Sequence, residues 1–399
     1  MRDRCFRPGE PSVSASSATL PERLGLAPFR QAFPWYGPDL QTLRDSLCPP
    51  RGLSIQADRL LIPLPRGGQL LALLSTPAAA SPIQGLVLLV HGLGSHGDTS
   101  SLIRLSRLLL DHRLAVLRLN LRGAGAGRDL AAGSYAAACS SDLLPAFHLA
   151  HQLASDLGSP GQPLPVLGNG LSLGGTILLN AIAAAIRQGQ PHLQALACVS
   201  SPLDLQACSG RIGAARNHLY ERWLVAQLRR LVLADGVGLS SVERLHLCGA
   251  DPPRSIRAFD AAITAPGWRP RSTHPPRHGP SGARWLGELP GLPPTLLLQA
   301  LDDPWVPAAG ALAFSQLHSP PNLAALPPQA AVDVNPAAMA SGQVASGPGS
   351  AGARALEVCI TRHGGHNGFH AAGDSRDGRW SDRLTARWLL ERSQARRPH

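Results

Sequence analysis

The residues best suited to chemistry lie in the segment Leu164–Gly175, which has the sequence LPVLGNGLSLGG. Ser172 stands there with a glycine two residues before it and another two residues after it, between an apolar run and a helical pattern that starts at Thr176. A serine in a G-x-S-x-G turn between strand and helix has its hydroxyl lifted clear of the sheet, beside the free N–H groups of the helix. We therefore predict Ser172 as a nucleophile. The alternative is a glycine-rich turn whose serine only caps the helix.

A serine hydroxyl becomes a good nucleophile when a base accepts its proton and a carboxylate orients that base. Asp302 and Asp303 follow an apolar run in PTLLLQALDDPWVP, and His363 and His366 follow the last apolar run in LEVCITRHGGHNGF. The order serine, acid, histidine is the one expected for a nucleophile on a strand–turn–helix. All three segments come at the carboxyl ends of predicted strands, so these side chains are expected to meet at one edge of a sheet.

The reaction would also need N–H groups aimed at the oxygen that gains negative charge. The predicted strand Gly85–Val90 ends in the loop HGLG, and Leu173 directly follows the serine. We predict that the backbone amides of Leu93 and Leu173 form this oxyanion hole.

Two sets of side chains could compete as metal ligands: His363, His366 and His370, and separately His91, His96 and Asp98. The first set lies in a glycine-rich loop, which is a poor helix and so lacks the spacing of zinc hydrolases, and the second has no recognised ligand spacing. The glycine-rich segment 122–127, RGAGAG, does not have the third glycine of the G-x-G-x-x-G dinucleotide-binding motif at the required position. Neither a metal nor a cofactor is predicted.

The elements that must position these residues alternate between strand and helix. Seven short apolar runs end in small or polar residues and are predicted strands: Gln69–Thr76, Gly85–His91, Leu114–Arg122, Leu164–Ser172, Leu193–Ser200, Thr295–Asp302 and Leu356–His363. Apolar residues recur at helical spacing in Ser101–His112, Ser141–Leu157, Thr176–Arg187, Asn217–Leu233 and Trp380–Arg392. Continuously apolar strands are typical of a sheet covered on both faces. The prediction is an α/β fold with a mostly parallel, doubly wound sheet.

Composition changes along the chain indicate its organisation. We expect a flexible tail over 1–25, then a single domain over 26–399 that contains a cap insertion at about 206–290 and a disordered, low-complexity loop at about 318–353. The cap segment carries 12 arginines against 6 acidic residues. Its stretch Arg211–Arg230 is expected to be an ordinary cap helix, with peripheral contact to an anionic membrane as the alternative.

The overall composition excludes several functions. All 37 basic residues among the 399 are arginine, and the absence of lysine excludes Walker-loop enzymes, protein kinases and Schiff-base enzymes. The formal charge of +11 comes without interleaved aromatic residues or a nucleic-acid-binding signature, so no nucleic acid partner is expected. The seven scattered cysteines are expected to be reduced and mostly buried. Because no signal peptide and no apolar stretch of membrane-spanning length is visible, a cytoplasmic protein is expected.

Taken together, the motifs resemble the YheT-like α/β-hydrolases, which are related to the eukaryotic abhydrolase domain-containing proteins 1 to 3. They occur in the family's order over residues 33–370: GPDLQTL, LVLLVHGLGS, LNLRGAG, GLSLGG, VSSPLDL, SIRAFDAAITAP, ALDDPWVP and GGHNGF. The resemblance implies the α/β-hydrolase fold, with Ser172 as nucleophile, Asp303 as acid and His366 as base. It also implies hydrolysis of carboxylic esters, either acyl lipids or simple esters.

The chain departs from the family at three places, none of which involves Ser172, Asp303 or His366, and one of them is the extra length of residues 318–353 before the final strand. Asp39 stands where the family usually has a histidine before L-Q-T-L, and WRPRSTHPPRHGP replaces the paired tyrosines expected after SIRAFDAAITAP. The same catalytic residues could serve a thioesterase, an acyltransferase or a peptidase, because sequence pattern does not separate these reactions. A catalytically silent α/β-hydrolase that binds a ligand is the remaining alternative.

Overall fold

The computed structural model describes residues 18–50, 52–78, 82–234, 241–268, 282–318, 356–374 and 378–395. Its centre is an eight-stranded sheet in the order β1-β2-β4-β3-β5-β6-β7-β8. The strands are β1 Asp58–Pro63, β2 Gln69–Ser75, β3 Gly85–Val90, β4 Leu114–Asn120, β5 Val166–Leu171, β6 Ala195–Val199, β7 Thr295–Ala300 and β8 Leu356–Thr361.

The sheet is parallel from β4 through β8, while β2 runs antiparallel to both β1 and β4. The predicted α/β fold with a mostly parallel sheet is therefore confirmed. Strand β1 was not predicted, since this edge strand buries only Ile62 fully and lacks the continuous apolar run of the inner strands.

Helices cover both faces of the sheet. They are α1 Leu20–Arg23, α2 Gly37–Leu47, α3 Ser100–Asp111, α4 Ser140–Asp156, α5 Leu173–Arg187, α6 Leu205–Ile212, α7 His218–Leu233, α8 Ser241–Cys248, α9 Ile256–Phe259, α10 Ala265–Trp268, α11 Ala283–Glu288, α12 Ala309–His318 and α13 Trp380–Gln394. Side chains of α4, α5 and α12 pack with one face of the sheet, and those of α3 and α13 pack with the other. Alternate residues of β3 join the two cores, so Leu86 and Leu88 face the first and Val87 and Leu89 the second.

The chain between β6 and β7 forms the cap, with helices α6 to α11. The cap has a small core of its own, made of Leu228, Val232, Leu247, Phe259 and Ile263. Leu93 of the loop after β3 packs against this core. The cap therefore touches the carboxyl edge of the sheet, where the predicted site residues lie.

The described part of the expected tail, residues 18–25, is folded. It contains the helix α1, and Leu24 is buried in the core beside α3 and α13. Arg23 forms ion pairs with Glu357 and Glu391, which hold α1 on the body of the protein. The folded body thus begins before residue 26. Residues 1–17, together with 319–355 of the expected low-complexity loop, lie outside the described residues.

Of the seven cysteines, the six that the structure describes are free thiols, and four of these are buried. Burial raises the pKa of both Cys139 and Cys359 to about 12, so these thiols stay protonated and unreactive at neutral pH. Among the described residues, no helix is long and apolar enough to cross a membrane.

Candidate active site

Ser172 lies in a sharp turn between β5 and α5. Its backbone has a φ of 50° and a ψ of −126°, a left-handed conformation that a serine adopts only under strain. A Cβ atom added to Gly170 would lie 2.3 Å from the Cα of Gly175, and one added to Gly175 would lie 2.1 Å from the Oγ of Ser201. A Cβ at Gly174 would meet the carbonyl oxygen of Val90 at 2.4 Å. The glycines around Ser172 are thus required by close packing, against backbone atoms at Gly170 and Gly174 and against the Ser201 side chain at Gly175.

Ser172, His366 and Asp303 form a continuous hydrogen-bonded relay. The Nε2 atom of His366 lies 2.9 Å from the Oγ of Ser172, and its Nδ1 atom lies 2.9 Å from Oδ2 of Asp303. A carboxylate accepts hydrogen bonds, so Nδ1 of the neutral ring donates to Asp303 and Nε2 keeps its lone pair toward the serine hydroxyl. Both Asp303 (0% exposed) and His366 (6% exposed) are shielded from water, which strengthens the interactions between them.

The Asp303 carboxylate is fixed by further donors from its own loop and from β7. Its Oδ1 atom accepts the backbone N–H groups of Trp305 at 2.8 Å and Val306 at 2.9 Å. Its Oδ2 atom accepts a hydrogen bond from the side-chain amide of Gln299 at 3.2 Å. These contacts hold the plane of the carboxylate toward His366.

The neighbouring pair, Asp302 and His363, lies outside the relay. Nδ1 of His363 is 3.1 Å from Oδ2 of Asp302, and Asp302 also accepts the N–H of Gly365 at 2.9 Å. Asp302 therefore fixes the loop that carries His366 and does not contact His366 through a hydrogen bond. Of the two acids and two histidines that the sequence offers, the structure brings Asp303 and His366 to the serine.

Two residues of α2 hold the histidine loop, and the sequence analysis did not identify their role. The N–H of His366 donates to Oγ1 of Thr42 at 2.9 Å. The buried Gln41 side chain accepts the N–H of His370 at 2.7 Å and donates to the carbonyl oxygen of the same residue at 3.1 Å. A Cβ at Gly365 would lie 2.7 Å from Oγ1 of Thr42, so the loop and the helix are in direct contact. The L-Q-T-L motif was visible in the sequence, but its distance of over 300 residues from the histidine hid the contact.

The loop after β3 runs beside the serine. A Cβ at Gly92 would lie 3.0 Å from the Cβ of Ser172. The hydroxyl of Tyr135 accepts the N–H of Gly94 at 2.8 Å and donates to the carbonyl oxygen of Gly92 at 2.9 Å. The N–H of Gly94 is therefore already hydrogen-bonded to Tyr135. At the first position of α5 the N–H of Leu173 has no acceptor within its own helix, as at every helix start.

His91 supports the same loop and is structural. Its Nδ1 atom donates to the carbonyl oxygen of Gly92 at 2.9 Å, and its Nε2 atom accepts the N–H of Leu121 at 3.2 Å. Complete burial lowers the pKa of His91 to about 4, so the ring is neutral at pH 7. Because both ring nitrogens of His91 are hydrogen-bonded, the side chain connects the end of β3 to the end of β4.

Two aromatic rings, Trp305 and Tyr220, cover His366 and connect it to the cap. The Trp305 ring lies 4.5 Å from the His366 ring at an angle of 35°, and the Tyr220 ring of α7 meets Trp305 edge-on at 5.5 Å. Tyr220 also donates its hydroxyl to Asp39 at 2.9 Å, and Arg216 pairs with the same carboxylate at 2.8 Å. Asp39, the residue that departs from the family motif, therefore binds the cap to the body.

The three histidines of the glycine-rich loop do not converge on a common point. His366 faces Ser172 and Asp303, and His363 pairs with Asp302. His370 is buried, and burial together with the charge of Arg379 lowers its pKa to about 2. Within the described ranges, no group of three or more potential ligand side chains is arranged to hold a metal ion.

Comparison with known proteins gives one curated relative. Over 241 residues the chain is 25% identical to a protein of Escherichia coli (strain K12) named "Putative esterase YheT", a match that covers 58% of this chain and 57% of that protein. This similarity confirms the predicted resemblance to the YheT-like α/β-hydrolases. The chain spans little more than half the length of this relative. No protein-family profile matches it.

Among solved structures, a 2,6-dihydroxy-pseudo-oxynicotine hydrolase is similar to this chain with 16% identity and a TM-score of 0.49, covering 90% of this chain and 72% of that one. An esterase of Pyrococcus furiosus is similar with 14% identity and a TM-score of 0.45, covering 79% of this chain and 85% of that one. The fold itself is established by the strand order and by the helices on both faces of the sheet.

Proposed function

We propose that the protein is a serine hydrolase of carboxylic esters, with Ser172 as nucleophile, His366 as general base and Asp303 as the orienting acid. The observation that carries the proposal is the continuous Ser172–His366–Asp303 relay, with two hydrogen bonds of 2.9 Å. The name of the Escherichia coli relative supports the same chemistry, since it is called an esterase.

The reaction follows from which atoms can give and accept protons. Oγ of Ser172 attacks the carbonyl carbon of the ester as its proton passes to Nε2 of His366, and Asp303 stabilises the imidazolium that forms. We assign the oxyanion to the backbone N–H groups of Leu93 and Leu173. Collapse of the tetrahedral intermediate breaks the carbon–oxygen bond to the alcohol, which takes its proton from His366. Water deprotonated by the same His366 then attacks the acyl-enzyme, releasing the acid and restoring Ser172.

The substrates we propose are short- to medium-chain acyl esters, or lipids of this acyl length. The cap supports this proposal, because the apolar side chain of Leu93 connects the loop beside the serine to the apolar cap core. A thioesterase or acyltransferase could use the same residues. The silent binding module is disfavoured, because binding alone has no chemical need for a buried acid–base relay behind a serine hydroxyl.

The test is hydrolysis of p-nitrophenyl esters of increasing acyl length by the wild type and by Ser172→Ala. We expect turnover by the wild type and a loss of at least about 10³-fold in Ser172→Ala. Ser155→Ala, which changes an exposed serine of α4, serves as the matched control and should retain wild-type activity. Absence of turnover on every ester and on matched thioesters would leave the binding module as the better account.

A further inference from the structure

In the described part of the chain ten large apolar side chains are exposed, and nine of them fall into two groups, one on the body and one on the cap. On the body they are Phe33, Tyr36, Leu40 and Leu47, and on the cap they are Leu219, Trp223, Leu233, Val242 and Leu245. The exception is Leu61 on the edge strand β1. Scattered single apolar residues are normal on a protein surface, whereas a concentration of them marks a surface that binds something.

The two groups adjoin each other where the cap meets the body. Asp39 of α2 binds both Arg216 and Tyr220 of the cap. Leu40 directly follows Asp39, and Leu219 directly precedes Tyr220. Since the Tyr220 ring contacts Trp305 edge-on and Trp305 covers the His366 ring, this part of α7 lies next to the candidate active site.

The outer face of α7 combines apolar and basic side chains. Its exposed residues recur at helical spacing: Leu219, Arg222, Trp223, Ala226, Arg230 and Leu233. The opposite face is buried in the cap through Leu224, Val225, Leu228 and Val232. The single acidic residue of α7, Glu221, is also buried and accepts the N–H of Ile256 at 3.0 Å. The outer face therefore has positive charge and apolar area without any negative charge.

From this combination we propose that the outer face of α7 docks on an anionic lipid surface. A helix that lies in a membrane interface buries apolar side chains among the acyl chains while its arginines bind lipid phosphates. The charge argues against a second copy of this chain, because a symmetric contact through this face would place arginine against arginine. The 12 arginines and 6 acidic residues of segment 206–290 give the whole cap the same sign.

The proposal stands on exposure and charge and is independent of the proposed ester hydrolysis. Co-sedimentation of the full chain with vesicles tests it directly, comparing pure phosphatidylcholine with a roughly 2:1 mixture of phosphatidylcholine and phosphatidylglycerol. We expect binding to the anionic vesicles that weakens as salt is added. Ser172→Ala should bind equally well, so a failure of docking and a failure of catalysis are distinguishable.

Two double variants identify the docking face. Leu219→Glu with Trp223→Glu should weaken binding to anionic vesicles at least about tenfold. Arg222→Ala with Arg230→Ala should also weaken it about tenfold or more, since each arginine near the membrane contributes roughly fivefold. Thermal denaturation confirms that each variant is folded.

The matched controls lie on β1, where Leu61→Glu and Arg59→Ala change an exposed leucine and an exposed arginine away from the face. They should bind vesicles like the wild type. The proposal is wrong if the wild type does not sediment with anionic vesicles, or if the β1 controls lose as much binding as the α7 variants. It is also wrong if the α7 variants convert a dimer to a monomer in light scattering without any change in vesicle binding.

Discussion

At the residue scale, the two adjacent acids have different partners and so different expected roles. Asp303 bonds to His366, whereas Asp302 bonds to His363 and to the N–H of Gly365. Asp303→Asn should lower kcat on a p-nitrophenyl ester by about 10³- to 10⁴-fold, because an amide can hold the imidazole in the wrong tautomer. Asp302→Asn should cost about tenfold or less, since it only loosens the loop. Steady-state kinetics of both variants decides the assignment, and the reverse order of losses would move the acid role to Asp302.

Thr42 is expected to be a positioning residue, because it acts on the backbone of His366 and not on the substrate. Thr42→Val removes the acceptor of the His366 N–H while keeping the side-chain shape. It should lower kcat about 10- to 100-fold with little change in KM, since a small displacement of the base disfavours proton transfer. Thr42→Ser keeps a hydroxyl and should restore most of the activity. Equal losses in the valine and serine variants would indicate that packing alone matters at this position.

At the scale of elements, Asp39 attaches α7 to α2, and we expect its loss to loosen α7 without lowering the stability of the whole protein. The Asp39–Arg216 pair is about half exposed on both sides, so it contributes on the order of 1 kcal/mol or less. Asp39→Ala should therefore increase amide hydrogen exchange of α7 a few-fold and leave Tm nearly unchanged. Hydrogen exchange followed by mass spectrometry measures the exchange of α7, and thermal denaturation measures Tm. Unchanged exchange in α7 would show that the aromatic stack alone holds the cap.

The elements that the sequence predicted well are those with a strong apolar pattern. The inner strands β3 to β7 and the helices α3, α4 and α5 were predicted within a few residues, because continuous or helically spaced apolar side chains mark them. The edge strand β1 and the helix α2 were missed. Only Gln41 is buried in α2, so this helix has no apolar stripe, and it is held in place by polar contacts to the histidine loop.

At the scale of the whole molecule, contacts between distant segments of the site leave no pattern in the sequence, as with β1 and α2. Residue types and their order indicate one candidate serine, two adjacent candidate acids and two candidate histidines three residues apart, since each of these segments follows a strand. Which acid meets which histidine depends on loop geometry, and the pairs Asp303–His366 and Asp302–His363 show how close the alternatives are. The aromatic contact of Tyr220 with Trp305 joins an insertion to the body and has no sequence signal.

The buried histidines should make the stability of the whole protein depend on pH. The folded-state pKa of His91, about 4, is below the usual 6.5, so protons bind more readily to the unfolded chain between these values. Stability is thus complete above pH 6.5 and falls as the pH drops toward 4, by roughly 3 kcal/mol from His91. His370, whose pKa is also lowered, adds a loss in the same direction.

Chemical denaturation at a series of pH values from about 8, above the ordinary histidine pKa, down to about 4, near the pKa of His91, measures this dependence. His91→Asn should reduce the acid-side loss of the free energy of unfolding, while His148→Asn, which changes an exposed histidine, should leave it unchanged. An acid-side slope that is identical in the wild type and in His91→Asn would contradict a neutral, buried His91.

Covalent labelling shows whether His366 activates the hydroxyl of Ser172. A fluorophosphonate reacts with an activated serine, and mass spectrometry of the digested protein locates the adduct. We expect a single adduct on Ser172 that disappears in Ser172→Ala and forms far more slowly in His366→Ala. A wild-type protein that stays unlabelled, or an adduct that persists in Ser172→Ala, would contradict this expectation.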